Sequence, residues 1–377
     1  MTKQAQIAAL VLAVGLVAAA QDSSSRIYRS GSAWIEETTG TLPATRMLKI
    51  KTVVGAIHVA GGQQGSITYT IRRQVHASSE DGARREFARI RVSTSSSGDT
   101  STIRGEESSG RGSLDIDVHV SSQVSVVRAE TGCGQIGVKG ISGTVEVSTG
   151  GDTIRLDDIS GDVRASSGGG SIEVGKIGGN VHVNTGGGDI RVQSSGGQVV
   201  AISGGGSLFV GTANSMTLET AGGSIKVDRC SGDVKASTGG GTVELTEVGQ
   251  AQVESGGGSI RIASVHGSLR AETSSGPIVA YLTPNSGAFA DSRLETSMGD
   301  IVVYIPENLG INIRAAVEAA GKAGISSDFP LKVVFGDQRW GPREAYAEGS
   351  VNGGGPLLHV HTSTGSIEFK RKDKERN

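Results

Sequence analysis

Three ionisable residues alternate along one short segment of the chain. Asp115, Asp117 and His119 lie two residues apart, and apolar residues fill the positions between and beside them. In a β-strand this spacing places all three side chains on one face. Two carboxylates and an imidazole on one face could bind a metal ion or exchange protons with a substrate. The same alternation is typical of the solvated face of a half-buried strand, and we favour that interpretation.

A second pair of candidate ligands lies near the carboxyl terminus. His359 and His361 also share one face of a predicted strand. Two histidines do not complete a zinc site, which needs three or four protein ligands. We therefore predict no metal at this position and interpret both residues as part of a solvated strand face.

Glycine triplets recur throughout the chain, but they do not match a ligand-binding motif. They are not followed by a helix, as a nucleotide-binding loop requires. Calcium-binding nonapeptide repeats carry an aspartate at one repeated position; here Asp189 and Asp233 hold it, whereas Ser171 and Ser207 replace it elsewhere. Hard cations such as calcium need such repeated carboxylates, so the repeats do not predict a calcium site. Paired carboxylates suited to glycoside hydrolysis are also not evident in the repeats. The sequence therefore predicts no catalytic, cofactor-binding or metal-binding residue, and no cofactor.

A nine-residue repeat sets the spacing of most of the chain. A glycine recurs at this interval, followed by one polar and then one apolar residue, and the same spacing resumes twice after single-residue deletions. A fixed short period is the signature of a repeat architecture. The first run comprises Gly134, Gly143, Gly161, Gly170, Gly179, Gly188, Gly197 and Gly206, with Asp152 at the remaining position.

Each nine-residue half predicts one short strand and one corner. In 168–174 and in 178–183, two apolar residues flank one polar residue, which is the period of a strand with one buried face. Glycines turn the corners because they tolerate close backbone approach. Two different halves make a coil of about 18 residues, and stacked coils form an all-β, parallel β-solenoid (β-helix) with irregular β caps at both ends. One hydroxyl column supports this stacking: Thr131, Thr149, Ser167, Thr185, Ser203, Thr220, Thr238, Ser255 and Thr273.

The outward position between the two apolar residues carries alternating charges on one face. Opposite charges in neighbouring rungs are each worth about 0.2–1 kcal/mol. A column that alternates in sign cancels the field that a ligand would sense, so we interpret it as a ladder that holds the register rather than as a charged binding strip. In order of rungs the column reads Arg155, Glu173, Arg191, Phe209, Lys226, Glu244 and Arg261.

Three apolar residues interrupt otherwise polar outward columns. Val200 and Phe209 lie near the middle of the repeats, and Val279 lies near their end. Together they predict a contact patch. The alternative is that they are scattered apolar residues on the surface, which are normal in soluble proteins.

The composition and patterning divide the chain into six regions. Lys3, an apolar run over 7–17 and small residues at 18–20 are typical of a secretory signal that is cleaved before Gln21. The apolar run is short for a bilayer span, so no transmembrane segment is expected after cleavage. The regions are a signal peptide (1–20), a linker (21–45), an N-terminal β region and cap with one short helix at 81–91 (46–130), the regular solenoid (131–282), its C-terminal continuation and cap (283–369), and a charged tail (370–377).

The charge and the cysteine positions argue against nucleic-acid binding and against a disulfide. The chain has 377 residues and a net charge of −2, whereas a nucleic-acid-binding protein presents a basic face. Cys133 and Cys230 lie five coils apart in the repeat, roughly 24 Å at ~4.8 Å per rung. A disulfide spans at most about 7 Å between Cα atoms, so we expect none.

Several motifs resemble those of one bacterial family. Residues 168–174 read Gly-Gly-Gly-Ser-Ile-Glu-Val, 159–165 read Ile-Ser-Gly-Asp-Val-Arg-Ala, and 349–356 read Gly-Ser-Val-Asn-Gly-Gly-Gly-Pro. With the segments 325–330 and 364–367, they are similar to the bacterial putative-adhesin family of unknown function, over roughly residues 46 to 370. The resemblance implies a glycine-paced β-solenoid in an exported protein of the envelope or cell surface. It supplies no catalytic residues.

These observations predict a non-enzymatic protein that acts outside the cytoplasm. We expect it in the periplasm, on the outer surface or outside the cell, where a rigid β-solenoid serves adhesion, binding or scaffolding. Its expected partner is an envelope component, a glycan or a protein, and not nucleic acid. One alternative is an extracellular β-helix enzyme that acts on polysaccharide or the cell wall. Another is end-to-end self-association through open sheet edges.

Overall fold

The computed structural model describes residues 24–107, 112–283, 289–336 and 343–372. The predicted signal peptide, residues 1–20, lies outside these ranges. Within them the chain forms thirty strands and one helix. The strands make a long, largely parallel sheet. The prediction of an all-β chain is therefore confirmed, and the arrangement is consistent with a solenoid.

Eight strands and one helix make up the amino-terminal region. They are β1 (Ser24–Ser30), β2 (Ala33–Pro43), β3 (Met47–Val54), β4 (Ile57–Gly62), β5 (Ser66–Val75), α1 (Glu80–Phe87), β6 (Ile90–Ser97), β7 (Thr100–Glu107) and β8 (Gly112–Ser121). The first two strands lie where the sequence predicts a linker over 21–45, so that prediction is wrong. β2 pairs antiparallel with β1 and with β5. The polar residues of these strands line a partly solvated sheet face, which hydropathy does not distinguish from a loop.

The single helix of the described residues packs on the amino-terminal strands. Ser79 caps it, since its hydroxyl accepts the backbone N–H of Gly82 at 3.2 Å. Ala83 and Phe87 are buried beneath it. The sequence predicts a helix over 81–91, but Ile90 already belongs to β6, where it pairs with Glu107. Pairing with β7 therefore ends the helix at Phe87.

The repeats form sixteen strands, whose parallel partners lie 18 residues apart in most rungs, as for Ile136 and Ile154. The single-residue deletions appear as shorter steps, as between Leu208 and Ile225. The strands are β9 (Val126–Cys133), β10 (Ile136–Ile141), β11 (Thr144–Thr149), β12 (Ile154–Ile159), β13 (Val163–Ser167), β14 (Ile172–Ile177), β15 (Val181–Thr185), β16 (Ile190–Ser195), β17 (Gln198–Ser203), β18 (Leu208–Ala213), β19 (Ser215–Thr220), β20 (Ile225–Thr238), β21 (Val243–Ser255), β22 (Ile260–Val265), β23 (Leu269–Ser275) and β24 (Ile278–Leu282).

Successive strands alternate between two stacks, which we call sheet 1 and sheet 2. Sheet 1 contains β3, β7, β23 and the odd-numbered strands from β9 to β19. Sheet 2 contains β4, β8, β22, β24 and the even-numbered strands from β10 to β18. β20 and β21 pass through both. The inward side chains of both sheets form one core: Ile172 and Val174 of sheet 2 are buried, for example, whereas Glu173 between them is exposed.

Six strands close the carboxyl-terminal end: β25 (Ser292–Met298), β26 (Ile301–Ile305), β27 (Ile311–Ser327), β28 (Lys332–Phe335), β29 (Arg343–Val351) and β30 (Leu357–Arg371). Their spatial order differs from their chain order, because β30 lies between the β25–β26 rung and β27. The predicted tail at 370–377 begins too early, since Lys370 and Arg371 belong to β30. Residues 373–377 lie outside the described ranges.

The amino-terminal end shows a similar exchange of order. β3 and β4 pair with β9 and β10 on one side and with β7 and β8 on the other. Segments that are distant in the chain therefore occupy neighbouring rungs. This places His58 of β4 directly beside Gly137 of β10.

The hydroxyl column forms a buried ladder at one corner of the coils. Thr185 Oγ1 donates to the carbonyl of Gly170 at 2.8 Å and accepts the N–H of Gly188 at 3.3 Å. Thr185 is 5 % exposed, so both contacts satisfy polar groups that would otherwise be buried without partners. The ladder therefore joins each corner to the one before it.

Close backbone contact at this corner favours glycine at position 188, whereas the neighbouring position 187 has room for a side chain. A Cβ at Gly188 would lie 2.4 Å from the carbonyl carbon and oxygen of Gly170, whereas a Cβ at Gly187 would meet nothing within 4 Å. We expect Gly188→Ala to lower the free energy of unfolding by about 1–3 kcal/mol through overpacking. Gly187→Ala should leave it nearly unchanged. Urea denaturation of both variants checks this, and equal losses would contradict it.

Candidate functional site

A groove runs along the outer face of sheet 2. It crosses β8, β4, β10, β12, β14, β16 and β18 in spatial order, a length of about 29 Å at ~4.8 Å per rung. Its cavity volume is about 710 Å³. Backbone around Val138, Leu156 and Val174 forms the floor, and two columns of outward side chains form the walls.

The charges along this groove balance one another. Arg155 Nε lies 2.9 Å from Glu173 Oε2 in the next rung, as the alternating ladder predicts. The charged lining residues, apart from the histidines, are Lys139, Arg155 and Arg191 against Asp117, Asp157 and Glu173. The groove therefore offers hydrogen-bond donors and acceptors to a ligand without a net charge from these six side chains.

Of the three polar residues predicted from the sequence, Asp117 and His119 line one end of the groove, but the three side chains do not converge. Asp115 Oδ1 accepts the backbone N–H of Ala56 at 2.9 Å. Asp117 is engaged at both oxygens, with Arg72 Nη1 at 2.5 Å and His58 Nδ1 at 3.2 Å. His119 is exposed at the mouth of the groove. In the described ranges, groups of three or more His, Cys, Asp or Glu side chains with metal-site geometry do not occur.

Arg72 links Asp117 to a further carboxylate. Its Nε donates to Glu37 Oε2 at 2.9 Å, and Arg26 Nη2 lies 2.6 Å from Glu37 Oε1. The hydrogen bond from Arg72 holds the pKa of Glu37 below its ordinary value and raises the pKa of Arg72. This chain of ion pairs ties β2, β5 and β8 together. It gives Asp117 a structural role at the rim of the groove.

A glycine positions the imidazole at this end. Gly137 occupies an outward position of β10, and a Cβ there would lie 2.9 Å from His58 Cδ2. The His58 ring therefore fills the space that a side chain would take. This places its Nδ1 beside Asp117. Sequence reasoning missed this contact because His58 and Gly137 become neighbours only through the exchanged rung order.

Phe209 lies at the opposite end of the groove. The guanidinium carbon of Arg191 is 5.0 Å from the centre of its ring, within the range of a cation–π contact. The phenyl ring thus takes the place of the acidic residue that alternation would put beside Arg191. A half-buried aromatic ring at the end of a polar groove can serve as an apolar anchor for a ligand.

The three residues of the predicted contact patch lie apart. Val200 belongs to β17 in sheet 1, so it faces away from Phe209, across the core. Val279 shares the outward column of Phe209 in sheet 2 but lies four rungs away, about 19 Å at ~4.8 Å per rung. Of the three, Phe209 alone lines the groove of sheet 2 as the structure describes it.

Sequence reasoning missed an aromatic pair beside Val279. Tyr281 of β24 and Tyr304 of β26 stack with ring centres 4.1 Å apart and planes 2° from parallel. The signal was present: Ile-Val-Ala-Tyr at 278–281 and Ile-Val-Val-Tyr at 301–304 place a tyrosine at the same outward position. The pair fixes the register of neighbouring rungs.

The remaining candidate residues are separated from both ends of the groove. His359 lies in sheet 1 between Arg293 and Arg314, and His361 Nε2 is 3.2 Å from Glu318 Oε1. Cys133 is exposed and Cys230 is buried, and both are free thiols, as the sequence predicts. Burial raises the pKa of the Cys230 thiol.

Comparison with known proteins yields structural matches alone. No family model and no curated protein matches the chain. Solved structures that match include a putative cell adhesion protein from Clostridium sporogenes (8 % identity, 90 % of this chain and 100 % of that one, TM-score 0.19). Others are a putative lipid binding protein from Parabacteroides distasonis (10 %, 71 % and 94 %, 0.29) and a putative adhesin from Bacteroides fragilis (12 %, 90 % and 97 %, 0.22).

These matches agree with the resemblance to bacterial putative adhesins drawn from the motifs. At such identities and TM-scores they carry no argument about activity, partner or ligand. Among the described residues, no helix has the length and apolar character needed to cross a bilayer. The geometry of this chain's own surfaces must therefore support any functional assignment.

The contacts of Asp117 predict a structural residue and not a metal ligand. Asp117→Asn removes one charge from the ion-pair chain, and we expect it to lower the free energy of unfolding by up to about 1 kcal/mol. Zinc added to the unsubstituted chain should leave the melting temperature unchanged. Calorimetry with and without zinc checks both results. A zinc-induced rise in melting temperature that Asp117→Asn abolishes would contradict them.

His359 predicts a pH dependence of stability. Burial lowers the pKa of His359 below its ordinary value, and the positive charge of Arg293 makes the second largest contribution in the same direction. The ordinary value, in an unfolded chain, is about 6.5. Between the two values the unfolded chain binds more protons, so stability rises with pH in this window and is lost as the pH falls below about 6.5. His359→Gln should flatten this part of the curve. Urea denaturation at several pH values checks it, and parallel curves would contradict it.

Proposed function

We propose that this chain is a non-enzymatic, exported protein of the bacterial envelope or cell surface. It presents a rigid β-solenoid, with coils of about 18 residues, for adhesion, binding or scaffolding. The observation that carries the proposal is the groove of sheet 2, about 29 Å long at ~4.8 Å per rung, with His58 at one end and Phe209 at the other. The expected partner is an extended envelope component, a glycan or a protein.

The rigidity of the groove supports this proposal. Within the groove each strand from β4 to β16 pairs with neighbours on both sides, and the ion pair Arg155–Glu173 connects outward side chains at 2.9 Å. The recognition groups therefore keep a fixed spacing of ~4.8 Å along the stack. A preorganised surface of this kind loses little conformational entropy when it binds.

The contacts of the carboxylates in the groove favour binding over hydrolysis. Glycoside hydrolysis uses two carboxylates on either side of the scissile bond. Asp117 is held by Arg72 and Glu173 by Arg155, and Asp157 Oδ1 accepts the N–H of Lys176 at 3.2 Å. Each carboxylate stabilises the stack, so we assign no catalytic step to them.

Co-sedimentation with fractionated bacterial envelope tests the proposal. The chain from Gln21 onward is mixed with peptidoglycan, outer-membrane lipid or intact cells, and bound protein is measured as a function of concentration. We expect saturable, salt-resistant binding to one fraction. Phe209→Ser should weaken it by about tenfold, because a buried aromatic anchor commonly dominates binding.

The matched control for this experiment is Val279→Ser. Val279 is also a half-buried apolar residue of the same outward column, but it lies outside the groove, so its substitution should leave binding unchanged. Equal losses for the two variants would exclude the groove as the site. Failure to bind any fraction would exclude the proposed function.

A further inference from the structure

Sheet 1 carries a second groove, on the opposite side of the core. It crosses β7, β3, β9, β11, β13 and β15 in spatial order, about 24 Å at ~4.8 Å per rung. Its cavity volume is about 450 Å³. Neither Val200 nor the residues of the other groove line it.

Basic side chains predominate along this second groove. Its lining contains five of them, Lys49, Lys51, Arg104, Arg128 and Arg164, and two carboxylates, Glu130 and Glu146. Counting Glu106, which pairs with Arg104 at 2.9 Å, five positive charges face three negative ones, an excess of two. The whole chain has a net charge of −2, so this face differs in sign from the protein as a whole.

Like charges lie directly opposite one another here. Lys49 pairs across the sheet with Arg128, and Lys51 pairs with Arg104. Such neighbours destabilise a sheet, and the ladder on sheet 2 avoids them by alternating in sign. A local departure from what favours stability is expected where a surface serves binding. An anionic ligand would relieve this repulsion.

Two of the basic groups are available to a ligand. Lys51 Nζ lies 2.7 Å from Glu130 and Arg128 Nε lies 2.8 Å from Glu146. Lys49 and Arg164 are exposed, and among the described residues neither makes an ion pair, although Glu146, which is paired with Arg128, is the register neighbour of Arg164. They lie three rungs apart in one outward column, about 14 Å at ~4.8 Å per rung.

A shelf of small polar residues borders this column. Ser148, Ser166 and Asn184 occupy the neighbouring outward positions of β11, β13 and β15, and Ser166 Oγ donates to Asn184 Oδ1 at 2.7 Å. Short side chains leave room above the sheet and still offer hydrogen bonds. The shelf therefore suits a hydroxyl-rich ring that lies flat beside the basic column.

We propose that this groove binds an acidic polysaccharide whose chain lies along the stacking axis. One pyranose ring advances a glycan by a distance comparable to the rung spacing of ~4.8 Å. A uronate-bearing chain would thus place its carboxylates against Lys49 and Arg164, with its hydroxyl groups on the shelf of Ser148, Ser166 and Asn184. Single-stranded nucleic acid fits less well, because it uses aromatic platforms for its bases, and the described lining of this groove contains no Phe, Tyr or Trp and a single histidine, His182.

Titration calorimetry with an oligogalacturonate tests this inference. We expect saturable binding that weakens as the salt concentration rises, because exposed charges are screened. Lys49→Gln and Arg164→Gln should each raise the Kd by about tenfold. A neutral malto-oligosaccharide of the same length should not bind.

Lys235→Gln is the matched control. Lys235 is exposed in the same outward column of sheet 1, four rungs beyond Arg164, and its substitution removes the same charge outside the groove. It should leave the Kd for oligogalacturonate unchanged, and thermal melts should show all three variants folded. Equal weakening in Lys235→Gln, or the absence of saturable binding to the folded chain, would overturn the inference. So would tighter binding of an oligothymidylate of equal charge.

The inference and the proposed function can fail separately, because they concern opposite faces of the molecule. Phe209→Ser should leave oligogalacturonate binding intact, and Arg164→Gln tests the groove of sheet 1 alone. If envelope fractions still bind the chain but oligogalacturonate does not, the inference falls and the proposed function stands. If oligogalacturonate binds but no envelope fraction does, the proposed function falls and the inference stands.

Discussion

The structure depends on the close approach of backbones at the corners of successive coils. At Gly188 a side chain would enter the carbonyl group of Gly170, so glycine lets this corner keep the rung spacing that strand hydrogen bonding sets. The adjoining hydroxyl of Thr185 satisfies the buried polar groups that this contact creates. Strand pairing, core packing and outward columns all follow from that spacing.

A fixed rung spacing makes the outer faces into ordered arrays of side chains. On sheet 2 the array alternates in charge around Arg155 and Glu173, which stabilises the stack and leaves a neutral groove. On sheet 1 the first rungs instead place Lys49 beside Arg128, and the two positive charges repel each other. The two faces therefore share one scaffold but differ in the ligands that their electrostatics favour.

At both ends of the stack, the spatial order of the strands differs from their order in the chain. β30 inserts before β27, and β7 with β8 lies outside β3 and β4. A solenoid built strictly in chain order would expose a full rung at each end, and an open edge invites further strands to pair. Antiparallel strands instead cover the terminal rungs, β5 on β8 and β29 on β27. The same rearrangement carries His58 to Gly137 and so completes one end of the groove on sheet 2.

The sequence by itself determined the repeated part of this protein. Period-two apolar residues such as Ile172 and Val174, with corner glycines every nine residues, have one compact solution, because each coil can bury its apolar face only against its neighbours. Local patterns also showed Phe209 and the charge ladder. They did not show that Ser24–Ser30 and Ala33–Pro43 form strands, that Val200 and Phe209 face opposite ways, or that Lys49 lies beside Arg128. Those outcomes depend on which distant segments pair, and only the tertiary structure decides that. The reason is that the energy of strand pairing is spread over whole strands, so no short stretch of sequence specifies the partner.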